Sequence, residues 1–288
     1  VTGVQTCALP IYYTPYKANR AVARAALTEK EAEEDQLFWE TFDALKTFVT
    51  DSTNCTVLRH DNLEADDLVA GWIQSHPEDH HTIVSSDSDF VQLISENVNL
   101  YNGINDHLFT TEGAFDAKGR KLAFTIKSNS KIQVGKPDAD FVTPTNYQDW
   151  ILFLKCVRGD SGDNVFSAYP GVRIKGTKNN VGITEAFEDK DRKGFSWNNL
   201  MLQTWTDHNG DEHKVLDDYL RNKTLIDLSA QPEDIKVKIA TTIAEGAKTL
   251  KRPMVGAQFL KFCGKYELNK LSENASTIGE ILSAGYPE

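Results

Sequence analysis

The chain has 288 residues, 40% of them hydrophobic, enough for one large domain or two ordinary ones with buried cores. Its net charge of −11 argues at first sight against a polyanionic partner, because phosphate binding is driven by Lys and Arg displacing counterions. No run approaches the roughly 18 uninterrupted apolar residues of a membrane helix, and the start lacks the basic-then-apolar layout of a signal peptide. Four scattered cysteines offer neither a zinc C-x-x-C pair nor a dense disulfide framework. A cytoplasmic protein with reduced thiols and no membrane partner is expected.

Residues 1–11 show no periodicity and no initiator Met, and read as translated sequencing adapter rather than as part of a fold. From Thr28 to Thr50 the pattern is helical: Thr28 with Glu31 forms a capping-box signature, and Leu37, Phe38, Phe42, Leu45, Phe48 and Val49 share one face. A short strand near Thr56–Leu58 follows, then a helix from about Glu64 to Ser75, a strand at Thr82–Ser85 and a short helix near Phe90–Ile94. This strand–helix alternation predicts a parallel sheet. Val98–Tyr101 and His107–Thr110 read as further strands, and a Gly-rich, poorly periodic stretch runs on to about Pro144. It carries Lys118, Arg120, Lys121, Lys127, Lys131 and Lys136 in a region without acids from Asp116 onward, either a nucleic-acid contact or a set of solvated loops. Tyr147–Val157 reads as an apolar helix, and helical segments continue to the end. An α/β domain over 12–157 followed by a helical domain over 158–288 is the expected organisation. His80–His81 reads as a solvated turn, and Trp39, Trp150, Trp197 and Trp205 as packing.

Three acidic clusters stand where strands end or helices begin, the position at which open α/β sheets place their sites. Glu64, Asp66 and Asp67 open a predicted helix, where capping and dipole compensation are the alternative explanation. Asp87 and Asp89 follow the apolar strand Thr82–Ser85, and two carboxylates at one tip repel unless a cation is shared; a turn, or the nucleophile of a phosphatase, is the competing reading. Asp160 and Asp163 sit in a Gly-containing turn that lacks the ligand ladder of an EF-hand. Seven carboxylates without His or Cys suit Mg²⁺ or Mn²⁺ and the composition of a two-metal phosphodiesterase site.

Taken in order, Tyr-Lys-x-Asn-Arg at Tyr16–Arg20, Glu-Ala-Asp-Asp at Glu64–Asp67, Ser-Ser-Asp-x-Asp-Phe-x-Gln-Leu at Ser85–Leu93 and Gly-Asp-x-x-Asp-Asn at Gly159–Asn164 resemble the flap-endonuclease family, and within it the ribonuclease H of T-even phages and related 5′-exonucleases. The resemblance implies a PIN-like 5′-nuclease fold with a helix-three-turn-helix. It also implies two Mg²⁺ or Mn²⁺ ions held by Glu64, Asp66, Asp67, Asp87, Asp89, Asp160 and Asp163, with Lys17 and Arg20 on the scissile phosphate and Tyr16 stacking on a terminal base. Duplex backbone would be held around Gly171, Arg173, Lys175, Gly176 and Lys178. The implied role is removal of RNA primers and flaps in phage DNA replication, by a monomer acting on DNA and RNA–DNA duplexes with 5′ ends, with a sliding clamp or single-strand-binding protein as partner. Relatives carry two further metal-binding Asp residues before the Tyr-Lys motif. Adapter-like sequence stands there instead, so a truncated, impaired enzyme is expected; a silent nucleic-acid-binding module is the alternative.

Overall fold

The computed structural model describes residues 17–135, 146–247 and 251–285, and of residues 18–21 the backbone alone. By internal contacts the chain divides into two units, one built from Arg20–Leu68 and the residues from Lys236 onward, the other from Val69–Ile235 with residues 17–19.

The first unit is helical. Helix α1 spans Ala18–Ala25 and α2 spans Glu29–Ser52. The predicted capping box opens α2: Thr28 Oγ1 accepts from the Glu31 amide and the Glu31 carboxylate accepts from the Thr28 amide at 2.8 Å. Of the apolar stripe on α2, only the C-terminal end is covered. Phe48 stacks on Phe262 at 4.6 Å, with Phe259, Cys263 and Ala275 completing the cluster, whereas Leu37, Phe38, Phe42 and Leu45 remain exposed. The expected strand at Thr56–Leu58 is absent; these residues form no ladder, and Leu58 instead packs against Gly246. Helix α3, Ala65–Ser75, begins in this unit and continues into the other.

The second unit holds a six-stranded sheet of β1 (His81–Val84), β2 (Val98–Asn102), β3 (His107–Thr110), β4 (Gly113–Asp116), β5 (Lys121–Ile126) and β6 (Ile132–Gly135), in that spatial order. Strands β1 and β2 are parallel, joined through a 3₁₀ turn at Ser88–Leu93, and from β2 onward every pairing is antiparallel. The sheet is thus mixed: the sequence alternation finds its parallel pair, while the stretch read as irregular folds into the short β4–β5–β6 meander. Helix α4 (Tyr147–Arg158) follows and serves two cores. Tyr147 and Ile151 join Ile83, Val91, Leu100 and Phe124 against the sheet, and Trp150, Phe153, Leu154 and Val157 pack the helical part. That part comprises α5 (Ile183–Glu188), α6 (Phe195–Met201), the hairpin β7 (Thr204–Thr206) and β8 (Glu212–Lys214), and α7 (Val215–Ile226). Trp150 and Trp197 are buried, as expected of packing tryptophans.

Helix α8 (Glu233–Gly246) leads back to the first unit, whose end is formed by α9 (Val255–Lys265), α10 (Asn269–Ser272) and α11 (Ala275–Ala284). There α9 and α11 meet backbone to backbone: a Cβ on Gly279 would stand 2.9 Å from the Gly256 Cα, whereas one on Gly256 would meet nothing closer than 3.9 Å. Gly279→Ala should therefore destabilise by about 1–3 kcal/mol through overpacking, and Gly256→Ala should be neutral or gain up to about 1 kcal/mol of helix propensity. Urea titration of the two variants checks this, and equal midpoints would refute the close approach.

Candidate active site

The chemistry-bearing residues of the second unit cluster beyond the carboxyl end of β1. The Ser85 amide continues the pairing with β2 by donating to the Tyr101 carbonyl at 3.0 Å, and the chain then turns. Ser85 Oγ accepts from the Asp87 amide at 3.1 Å, and Asp87 Oδ1 accepts from the Asp89 amide at 2.9 Å, capping the 3₁₀ turn. Asp87 is exposed, while Asp89 is turned inward and partly buried. The same motif is anchored from behind by Phe90 in the core and by Gln92, which donates to the Ile226 carbonyl and accepts from the Leu228 amide.

The second acidic loop is set by the end of α4. Gly159 adopts φ +75°, and a Cβ there would fall 2.3 Å from the Val165 carbonyl oxygen, so only glycine allows this turn. Asp160 and Val165 then exchange both backbone hydrogen bonds, at 2.9 and 2.7 Å, closing a loop that holds Asp163. Asp160 Oδ1 accepts from the Gly162 amide at 2.8 Å. The fully buried Asn222 of α7 braces the loop on both flanks by donating to the carbonyls of Cys156 and Phe166.

Between the two loops lies Lys155. Its side chain is 9% exposed, and its ammonium donates both to Asp89 Oδ1 and, at 3.0 Å, to Asp160 Oδ2. Burial pushes the Asp89 carboxyl above its ordinary range, with Asp87 and Asp160 adding to the effect against the pull of Lys155. At Asp160 burial pushes the same way, but Lys155 and the amides of Gly162 and Asp163 outweigh it and hold the carboxyl below that range. Burial also disfavours the Lys155 charge, and its two carboxylate partners overcome this and raise its pKa. Sequence reasoning missed Lys155. The available signal was a lone cation inside the otherwise apolar run Ile151–Val157.

Of the other expected residues, Lys17 is tied to this loop through its backbone, its amide donating to the Asp163 carbonyl at 3.0 Å. Tyr16 and the side chain of Arg20 lie outside the described residues. Glu64, Asp66 and Asp67 belong to the first unit, where Asp67 Oδ2 accepts from the Glu64 amide at 3.2 Å in the opening turn of α3, the capping geometry expected of acids at a helix start. Arg173, Lys175 and Lys178 are exposed on a loop that closes on α5. Gly176 and Gly182 approach so closely there that a Cβ on Gly182 would sit 2.4 Å from the Gly176 nitrogen. The Glu185 carboxylate accepts from both their amides at 2.9 Å, a second feature the sequence did not reveal; the Gly176 amide is therefore occupied from within. Gly171, at φ +77° with open space around it, is glycine for its backbone conformation.

Among the described residues no three His, Cys, Asp or Glu side chains are grouped to hold a metal ion. The carboxylates of Asp89 and Asp160, from two separate loops, converge instead on the Lys155 ammonium.

Residues 11–119 match the family described as 5′-3′ exonuclease, N-terminal resolvase-like domain. DNA polymerase I of Treponema pallidum (strain Nichols) is 34% identical over 134 residues, 46% of this chain and 11% of that protein. DNA polymerase I of Rhizobium leguminosarum is 28% identical over 187 residues, 62% of this chain and 14% of that protein. The chain thus spans a small fraction of the length of the curated relatives it matches. Among solved structures, the bacteriophage T5 flap endonuclease in a pseudo-enzyme–product complex with DNA and metal ions shares the fold, with a TM-score of 0.50 at 18% identity over 80% of this chain and 76% of that one. Residues 11–119 thus resemble a 5′-3′ exonuclease N-terminal domain, and the chain has a PIN-like 5′-nuclease fold with a helical portion.

Removing the Lys155 charge should expose the repulsion it offsets. Lys155→Met should destabilise the chain by about 3–5 kcal/mol at neutral pH, the usual consequence of leaving a buried ion group without its partner. Asp160, whose folded pKa is depressed, contributes stability above its unfolded pKa and loses it as pH falls through the folded value, so the gap between parent and variant should narrow in acid. Urea midpoints measured at neutral and acidic pH test both statements; a variant as stable as the parent at neutral pH contradicts them.

Proposed function

We propose that this chain comes from a structure-selective, metal-dependent 5′-nuclease, a 5′-3′ exonuclease and flap endonuclease of ribonuclease H type that removes RNA primers during phage DNA replication. The observation that carries the reading is the convergence of Asp89 and Asp160, from two loops far apart in sequence, on one buried positive charge beyond the carboxyl end of β1. Such an arrangement is poor value for stability, since buried ion groups rarely improve on apolar packing, and it suits a site that has to handle charge.

In this reading Asp87, Asp89, Asp160 and Asp163 hold two Mg²⁺ or Mn²⁺ ions, and Glu64, Asp66 and Asp67 are further ligands on the strength of their motif alone. Bound ions of this kind supply an acidified water and neutralise charge on the leaving oxygen. Lys155 keeps Asp89 and Asp160 oriented, and the Gly159 turn and Asn222 keep the Asp160–Asp163 loop in place. Lys17 and Arg20 grip the scissile phosphate and Tyr16 stacks on the terminal base. Arg173, Lys175 and Lys178, on the loop drawn together by Glu185, face duplex backbone and contribute affinity without base readout, while Gly171 and Gly176 give that loop its shape. The substrates are DNA and RNA–DNA duplexes with 5′ ends or flaps, met by a monomer in the cytoplasm, with a sliding clamp or single-strand-binding protein as the partner class.

In the intact enzyme, on a 5′-flap duplex with Mg²⁺, Asp163→Asn should lower the cleavage rate about 100-fold or more while changing duplex affinity by less than about threefold, because the lesion lies in charge stabilisation. Lys175→Gln with Lys178→Gln should do the reverse, lowering the slope of log affinity against log salt by about one unit per lost contact. Parallel loss of cleavage and binding in Asp163→Asn would count against the assignment.

A further inference from the structure

The sheet topology gives the basic turn between β4 and β5 a definite place relative to the acidic loops. Strand β1 ends next to Asp87 and Asp89, and β2 runs parallel to it. Because β2, β3, β4 and β5 then alternate in direction, the end of β4 and the start of β5 lie at that same end of the sheet. The connection there carries Lys118, Arg120 and Lys121, all exposed. The β5–β6 connection, with the equally exposed Lys127 and Lys131, lies at the opposite end.

The turn is built rather than loose. Asp116 Oδ1 accepts from the amides of Lys118 and Arg120 at 2.9 Å each, and its other oxygen accepts from Arg120 Nε at 2.7 Å. That carboxylate neutralises Arg120 and leaves Lys118 and Lys121 without an ion pair among the described residues. Asp106, in the adjacent β2–β3 turn at the same end, is engaged by the Tyr101 hydroxyl at 2.7 Å. With strands about 4.8 Å apart, the turn stands roughly 15–20 Å from the tip of β1 along the sheet. At about 3.4 Å per phosphate along one strand, that is about five nucleotides.

We propose that the β4–β5 turn is an accessory phosphate grip, in which Lys118 and Lys121 hold the backbone of a nucleic-acid strand about five nucleotides from the reacting phosphate. The inference rests on the nuclease reading above and adds a contact that reading does not require. It also gives an acidic chain a local place to meet a polyanion: the turn that carries Lys118 and Arg120 lies at the sheet end where the acids are, with the Lys121 side chain lying back along β4 over Gly113.

The test compares two charge-matched double variants of the full chain, Lys118→Gln with Lys121→Gln, and Lys127→Gln with Lys131→Gln, in binding a 5′-flap DNA duplex over a salt series. The near-end pair should lower the slope of log affinity against log salt by about 1–2, and the far-end pair should leave it unchanged. Thermal melting of both proteins should match the parent, since all four side chains are exposed. A near-end slope equal to that of the parent, or an equal drop in both variants, overturns the grip while leaving the nuclease reading intact. A parent chain that fails to bind the duplex at all removes both.

Discussion

A buried lysine shared by two aspartates organises the second unit. Placing a carboxylate in a half-buried position is costly unless a cation is supplied, and α4 supplies one from within its most apolar stretch. Two unit charges about 4 Å apart interact by about 4 kcal/mol at an effective dielectric of 20, the same order as the several kcal/mol that desolvating each ion costs. The arrangement fixes geometry more than it adds stability. It ties the turn after β1 to the loop after α4, and α4 in turn belongs to both hydrophobic clusters of the unit. Displacing either loop would therefore disturb a core.

The backbone around this ion group shows where geometry took precedence over ordinary preference. Gly159 and Asn164 both take positive φ within the six-residue loop, and the first of these positions admits no side chain at all. Asn222 spends its amide on two carbonyls, that of Cys156 at the end of α4 and that of Phe166 after the loop. The loop before α5 follows the same logic with opposite charge. There a carboxylate, Glu185, gathers two glycine amides and presses the chain together, leaving Arg173, Lys175 and Lys178 pointing to solvent. An acidic pocket and a basic loop are each held by a buried or half-buried group of the other sign.

Much of this was legible in advance, and the exceptions share a cause. The α2 capping box depends on residues three apart and is local, so Thr28 and Glu31 announced it. The acids after β1 and after α4 stood out because carboxylates at element ends are uncommon without a reason. Lys155, Glu185 and Asn222 did not stand out, since a single Lys, Glu or Asn on a helix carries no pattern and acquires its meaning from partners as distant in sequence as Asp89 is from Lys155. The β4–β5–β6 meander escaped because its strands are four to six residues long and interrupted by Gly, Asp and Lys turns, too short for alternation to register. The Thr56–Leu58 segment misled in the opposite direction: β-branched Thr56 and Val57 suggested a strand, but the segment forms no ladder and Leu58 packs against Gly246 at the end of α8.

The stripe on α2 and the meander also illustrate how sign and placement matter more than totals. A chain of net charge −11 would be expected to repel a phosphate backbone, yet the field that a strand meets is set within a Debye length of about 10 Å. At the β1 end of the sheet the three exposed cations of the β4–β5 turn outnumber the two carboxylates that are not candidate metal ligands, Asp116, which orders the turn, and Asp106, held by the Tyr101 hydroxyl. Much of the rest of the negative charge lies on α2, which alone carries Glu29, Glu31, Glu33, Glu34, Asp35, Glu40, Asp43 and Asp51. Direct contact with Lys118 or Lys121 is not screened away, so the charge a strand meets at this end of the sheet is set by the turn itself rather than by the total.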